Sequence, residues 1–407
     1  LGSRVVKDDK NNYSPRVGFA YDIAGNGRSV LRGGYGIYYD QSFLNVPLFA
    51  VQQANAEIYA TFFNDDDGLS LASAPPPIPR PLTNPAPGLP VRGRLIDPNF
   101  TSPYTQQFNV GFAKELGANM ALEFDYIHIL GLHEFTQIDA NPRIGPLINA
   151  QRTSPTQPRL LTPLFQAHAS QMIATFGQTL PFTGIRVAQS DGRSRYDAFT
   201  VSFRRRYANH FLLNAHYTLS RGLAWFGQIS DFGVQPQNPF DKFNAAENFG
   251  HTGEDERHRF VVSGVIDLPW GFQLSPIVQL ASARPYSILP NPSTGAGGDI
   301  NRDGVINDRE SRDGNDQHHL PPFTERGDKF SQVNLRVGWS HKFTENMKLS
   351  LFVEGFNIFN TANFGNSFDG TVGSPNFKKP INFFGATGFS EPIGIPFQGQ
   401  FGFRFSF

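Results

Sequence analysis

The sequence contains no cysteine. That removes a disulfide framework and thiolate metal sites, and it suits a cell-envelope protein. It carries no net charge either, since lysine plus arginine and aspartate plus glutamate both number 35. A nucleic-acid partner needs a basic surface, so none is expected. No run approaches the roughly 18–20 apolar residues that a membrane helix requires. This leaves a β-barrel open, because a barrel strand shows only every second residue to lipid. There is no Gly-X-Ser-X-Gly elbow, no phosphate-cradling glycine loop and no HEXXH helix, so no enzyme is expected. The chain starts at Leu1, not Met, without a charged-then-apolar signal peptide. A protein bound for the envelope needs such a signal, so we expect a fragment whose N-terminal part lies upstream.

Phenylalanine and glycine are abundant, 40 of each in 407 residues. The phenylalanines are periodic. From Phe397 the chain reads Phe-Gln-Gly-Gln-Phe-Gly-Phe-Arg-Phe-Ser-Phe to Phe407. Side chains alternate across a strand, so Phe401, Phe403, Phe405 and Phe407 share one face, with Gln400, Gly402, Arg404 and Ser406 on the other. Lipid on one side and a wet lumen on the other fits this pattern; an edge strand of a soluble sandwich is the alternative.

Ten earlier stretches alternate in the same way, which makes about eleven strands. They begin with Val17, Phe19 and Tyr21 against Arg16, Gly18 and Asp22, and include Val333, Leu335, Val337 and Trp339 against Asn334, Arg336, Gly338 and Ser340. Phe352 and Phe356 blur the tenth. Short links and long irregular stretches take turns. The long ones run at about 40–103, 131–195, 222–257, 283–329 and 361–396, and a short helix is predicted at Leu164–Gly177 within the second. The expected fold is therefore all-β: an antiparallel transmembrane β-barrel with short periplasmic turns and long extracellular loops. The odd count again suggests part of a larger barrel, or one strand missed in the first fifteen residues. Arg32, Glu123, Asp125, Arg204 and Arg336 fall on the polar face, where a hydrated lumen spares them the cost of burial. Tyr35, Tyr38, Tyr39, Tyr104, Tyr126, Tyr217 and Trp339 lie near strand ends, as girdle aromatics would.

One local motif points to a metal. Asp299, Asn301, Asp303, Asn307 and Glu310 stand at positions 1, 3, 5, 9 and 12 of a loop with Gly304 at position 6. With the Val305 carbonyl, this is the oxygen spacing of a twelve-residue Ca2+ loop. The flanks are not helical, so the reading is a weak structural Ca2+ site on an extracellular loop; an Asp/Asn-Gly turn closed by its own hydrogen bonds is the alternative. His251 and His258 near Glu254, Asp255 and Glu256 read as a solvated acidic loop in preference to a metal site. His318-His319 carries no defensible site, and Asp65-Asp66-Asp67 reads as a solvated turn in preference to a cation site.

Several stretches resemble the barrel of TonB-dependent receptors, in particular the Oar-like group with a carboxypeptidase-regulatory-like N-terminal domain. They are Tyr13–Tyr21, Leu31–Gly36, Ser194–Phe199, Ala215–Ser220, Arg257–Phe260 with Leu268-Pro269, Asp299–Arg309 and Glu354–Asn360. The resemblance implies a 22-stranded barrel of which residues 1–407 form the C-terminal half, with plug, TonB box and signal peptide absent. It implies a receptor or transporter in the bacterial outer membrane, whose loops capture an extracellular ligand for uptake energised by the TonB system. Its partners would be outer-membrane lipid and, through the missing plug, TonB. The closing strand also resembles that of bacterial outer-membrane barrels, which implies recognition of Phe407 by the barrel-assembly machinery. An outer-membrane adhesin without transport is the runner-up. A secreted carbohydrate-binding or hydrolytic protein would need inward-facing aromatics and a carboxylate pair.

Overall fold

The computed structural model describes residues 9–40, 91–139, 182–225, 248–291, 309–312, 319–385 and 394–407. The strands are β1 (Arg16–Asp22), β2 (Ser29–Tyr39), β3 (Val91–Ile96), β4 (Tyr104–Gly117), β5 (Met120–Asp139), β6 (Phe182–Ala208), β7 (Phe211–Trp225) and β8 (Phe249–His251). They continue with β9 (His258–Asp267), β10 (Phe272–Ala281), β11 (Pro285–Tyr286), β12 (Glu325–Arg326), β13 (Phe330–Lys342), β14 (Lys348–Phe356) and β15 (Gln398–Ser406). Eleven of them form one antiparallel path, β1-β2-β4-β5-β6-β7-β9-β10-β13-β14-β15. These are the eleven alternating stretches of the sequence. β3 adds in parallel to β6, β8 adds to β7, and β11 pairs with β12 apart from the main sheet. The sheet is open, with β1 and β15 as its edges.

The short links have turn chemistry. Asn209 and His210 both take positive φ, 49° and 68°, as the two-residue turns that match strand twist demand. Between β9 and β10 the chain turns on Trp270 and Gly271, with φ of 60° and 82°. Links of this kind join β1–β2, β4–β5, β6–β7, β9–β10 and β13–β14, and long stretches join the rest of the path.

Register aligns apolar side chains in rows across the middle of the sheet. Phe112, Phe124, Val201, Tyr217, Phe260 and Leu280 form a continuous line over six strands. Their face is exposed: Val17 is 70% accessible, Val353 56% and Phe403 70%. The largest fully buried side chains are His319, Asn248, Asn357, Asn363, Thr136 and Pro285, and the buried apolar set is mainly alanine. A soluble sandwich buries the opposite set. This inside-out distribution is that of a membrane barrel wall.

Three details differ from the sequence reading. β5 runs on to Asp139, β6 starts at Phe182 and β7 reaches Trp225, so strands extend into the assigned loops. Tyr38 is not a girdle residue: it shares the polar face with Arg16, whose guanidinium lies 4.5 Å from its ring centroid. Phe352 also faces the polar side, beneath the Arg336 guanidinium at 3.9 Å and over Gly402, where a Cβ would meet the ring. The helix expected at 164–177 lies outside the described residues.

Candidate functional site

Two layers face inward: the polar wall of the sheet and a platform built by the long connections above it. On the wall, Arg32 of β2 reaches over β4 to β5. Its Nη2 donates to Asp125 Oδ1 at 2.9 Å and to Glu123 Oε2 at 3.0 Å. Gly111 lies between them on β4, where a Cβ would crowd the Asp125 carboxylate in its present position. Arg336 donates to Glu354 at 3.1 Å, and Gln400 donates to the same carboxylate. Thr200 pairs with Thr218, and Ser202 with His216. Toward β1, Gly18, Gly34 and Gly36 leave a hollow of about 250 Å³ bordered by Tyr38, Gln107 and Asn109. The wall is thus a polar surface on which Arg32 and Arg336 are paired with carboxylates.

The platform is held by buried polar side chains. Asp255 accepts from Arg326 Nη2 at 2.5 Å and from the Gly222 amide at 2.8 Å, with His251 Nδ1 3.0 Å away. Glu256 accepts from Arg284 at 2.7 Å and from Arg259 at 2.9 Å, and Glu254 also accepts from Arg284. The 254–256 segment is therefore only in part the solvated acidic loop the sequence suggested: Glu254 is exposed, while Asp255 and Glu256 are drawn into the fold. Its middle carboxylate is buried and all three are neutralised by arginine. Burial pushes the His251 imidazole down, partly opposed by Asp255. Nearby, Ser374 and the Thr371 amide donate to Asp369 and hold its carboxyl below the usual range. Among the described residues, no three His, Cys, Asp or Glu side chains gather to hold a metal ion.

The motif ending at Asn360 has a structural task that its sequence did not reveal. Asn357 takes φ of 51°; its Nδ2 donates to the carbonyls of Thr361 and Ile395, and its Oδ1 accepts from the Thr361 amide. Asn360 Oδ1 accepts from the Phe397 amide. Together they tie the last long connection back to its own base, just before β15. Asn363 pins the same stretch to β13, exchanging two bonds with the Ser331 backbone.

Of the proposed Ca2+ ligands, Asp299, Asn301, Asp303, Val305 and Asn307 lie outside the described residues. Glu310 is described. Its backbone bonds to Ile288 and Leu320, and its Oε1 accepts from the Ser311 amide at 2.8 Å. His319 is fully buried, with Nδ1 3.2 Å from the Arg309 carbonyl, so this half of the His-His pair has a packing role.

With the geometry in hand, similarity narrows the family. The model of a family described as outer membrane beta barrel domain matches residues 1–386. Among solved structures, the outer membrane transporter YddB of Escherichia coli superposes with a TM-score of 0.51 at 13% identity, covering 88% of this chain and 38% of that one. The siderophore receptor PiuA of Acinetobacter baumannii gives 0.43 at 8% identity, with 86% and 32% coverage. The ferric-catecholate import receptor Fiu of E. coli gives 0.41 at 8% identity, with 87% and 32% coverage. The chain thus spans well under half the length of these proteins. No curated protein matches the sequence.

Proposed function

Because the chain belongs to the family of outer membrane beta barrel domains, we propose that it is the wall and loop platform of a TonB-dependent receptor of the Oar-like group. The protein resides in the bacterial outer membrane. The observation that carries the reading is the inward face: a polar wall, with Arg32 and Arg336 paired to carboxylates, beneath a platform of ordered long connections. Such a surface suits passage of a hydrophilic ligand, with the loops selecting it. Residues 1–407 would be the C-terminal half of a barrel of about 22 strands, and the upstream half would supply a plug and the segment that TonB grips. No bond of the ligand is made or broken. The test is co-purification of the intact protein with the periplasmic domain of TonB. Retention supports energised transport; absence of binding, with no plug upstream, returns the protein to a surface adhesin.

Two further assignments belong to this reading. Phe407, 93% accessible at the end of the phenylalanine ladder, would be the residue the assembly machinery recognises. Replacing it with alanine should lower the amount of folded protein in the membrane several-fold, while the variant refolds normally in detergent. Equal amounts in cells would remove the role. The segment from Asp299 to Glu310 would bind a structural Ca2+ weakly, at about 10⁻⁴–10⁻³ M as extracellular modules do. Calorimetric titration should give a heat for the wild type and none for Asp303→Ala, and equal traces would remove the site.

A further inference from the structure

The outward face changes character along one row. Val110, Tyr126, Phe199 and Leu219 lie side by side across β4 to β7. One row nearer the long connections stand Phe108, His128, Asp197 and Arg221, and the next row brings Leu130, Arg195 and Leu223. Arg193, opposite Leu132, follows on the same face. The apolar belt therefore ends abruptly in three arginines on two adjacent strands. The carboxylate opposite Arg221, Asp197, is already occupied: Tyr126 Oη and His128 Nδ1 each lie 2.8 Å from its Oδ1, and Arg195 Nε donates to Oδ2 at 2.6 Å; Arg221 also adds positive potential at His251. Arg195 spends only its Nε there, and its side chain remains 54% accessible. Arg193 and Arg221 are exposed and make no hydrogen bond or ion pair with any described residue.

Strand spacing puts the three backbones within about 14 Å, so their guanidinium groups can converge on one or two small anions. A surplus of arginine at the edge of a lipid-facing belt has a natural counter-charge, the phosphates of the adjacent lipid headgroups. We propose that Arg193, Arg195 and Arg221 form a binding site for a phosphorylated lipid headgroup in the outer leaflet. The flanking Tyr126 and Tyr217 sit at the same boundary, with their hydroxyls bonded upward to Asp197 and His258. The assignment rests on the outer-membrane reading and on the long connections facing outward. It does not need transport, because this face points away from the lumen.

The test uses the intact protein in nanodiscs of zwitterionic lipid, with diphosphorylated lipid A as the probe and native mass spectrometry as the readout. The wild type should retain lipid A at a concentration at least tenfold lower than R193Q/R221Q does. An inner-face control, R336Q, should behave as the wild type. Equal retention by the double variant, or equal loss in R336Q, overturns the site. For the wild type alone, lipid A stripped of its phosphates should not be retained; equal retention overturns the proposal even if the double variant fails to fold. Complete displacement of lipid A by millimolar inorganic phosphate would make the site a reader of free phosphate, and the lipid assignment would fall.

Discussion

His251 shows how one side chain connects burial, charge and stability. Its ring sits against Asp255, while Arg326 and Arg221 add positive potential. Burial outweighs the attraction of the carboxylate, so the folded imidazole resists a proton that the unfolded one accepts near its ordinary value of 6.5. The unfolded state then binds more protons in the window below that value. Stability from this group is complete above about pH 6.5 and declines as pH falls through the folded pKa. Protease susceptibility of the 248–257 segment should therefore rise between pH 7.5 and pH 5.5, and His251→Gln should flatten that rise. An unchanged pH response in the variant would assign the effect to another group.

β15 separates the two faces on one strand. Phe403 points to lipid, and Gln400 points inward beside Glu354. An arginine at the bilayer midplane costs roughly 2–4 kcal/mol on the lipid face, where no polar partner is at hand. At position 400 it would keep a bond to Glu354, with a cost of about 0–1 kcal/mol. Phe403→Arg should shift the urea midpoint for refolding into lipid vesicles strongly, and Gln400→Arg should hardly move it. Equal shifts would mean the two faces share one environment. This contrast is also why the strands were legible in the sequence: wherever one side is lipid and the other water, period two is written in the residues. It fades where both sides are wet. The sequence at 131–139 and 182–195 mixes apolar and polar residues without period two, so the extensions of β5 and β6 read as loop. β3 and β8 were hidden because they are short, six and three residues, and join the sheet beside longer strands. The platform was the least legible part. Its order depends on Asn357, Asn363, Asp255 and Arg326 meeting across long gaps in sequence, which no local pattern encodes.

At the scale of the whole molecule, the parity of the strands constrains how the wall closes. In an antiparallel meander of eleven, the first and last strands run the same way. Joining β1 directly to β15 would make a parallel pair in an otherwise antiparallel wall. Bacterial single-chain barrels have even strand numbers, although an odd, parallel-closed barrel is known in mitochondria. Leaving both edges bare in lipid is worse, since each unpaired backbone group there costs several kcal/mol. At least one further strand should therefore stand between β1 and β15 in the assembled barrel. The absence of native cysteine makes this directly measurable. With Phe19→Cys in β1 and Phe403→Cys in β15, the introduced thiols are the only ones residues 1–407 contribute. Neighbouring strands lie about 4.8 Å apart, within disulfide reach at matched register, whereas one intervening strand doubles the gap and excludes a bond. Mild oxidation of the membrane-embedded protein should give no intramolecular crosslink for this pair. Shifting the second cysteine to Phe401 or Phe405 covers the neighbouring registers and should give the same result. A crosslink at any of the three positions would show direct parallel closure of eleven strands, and with it a barrel too narrow for the one proposed.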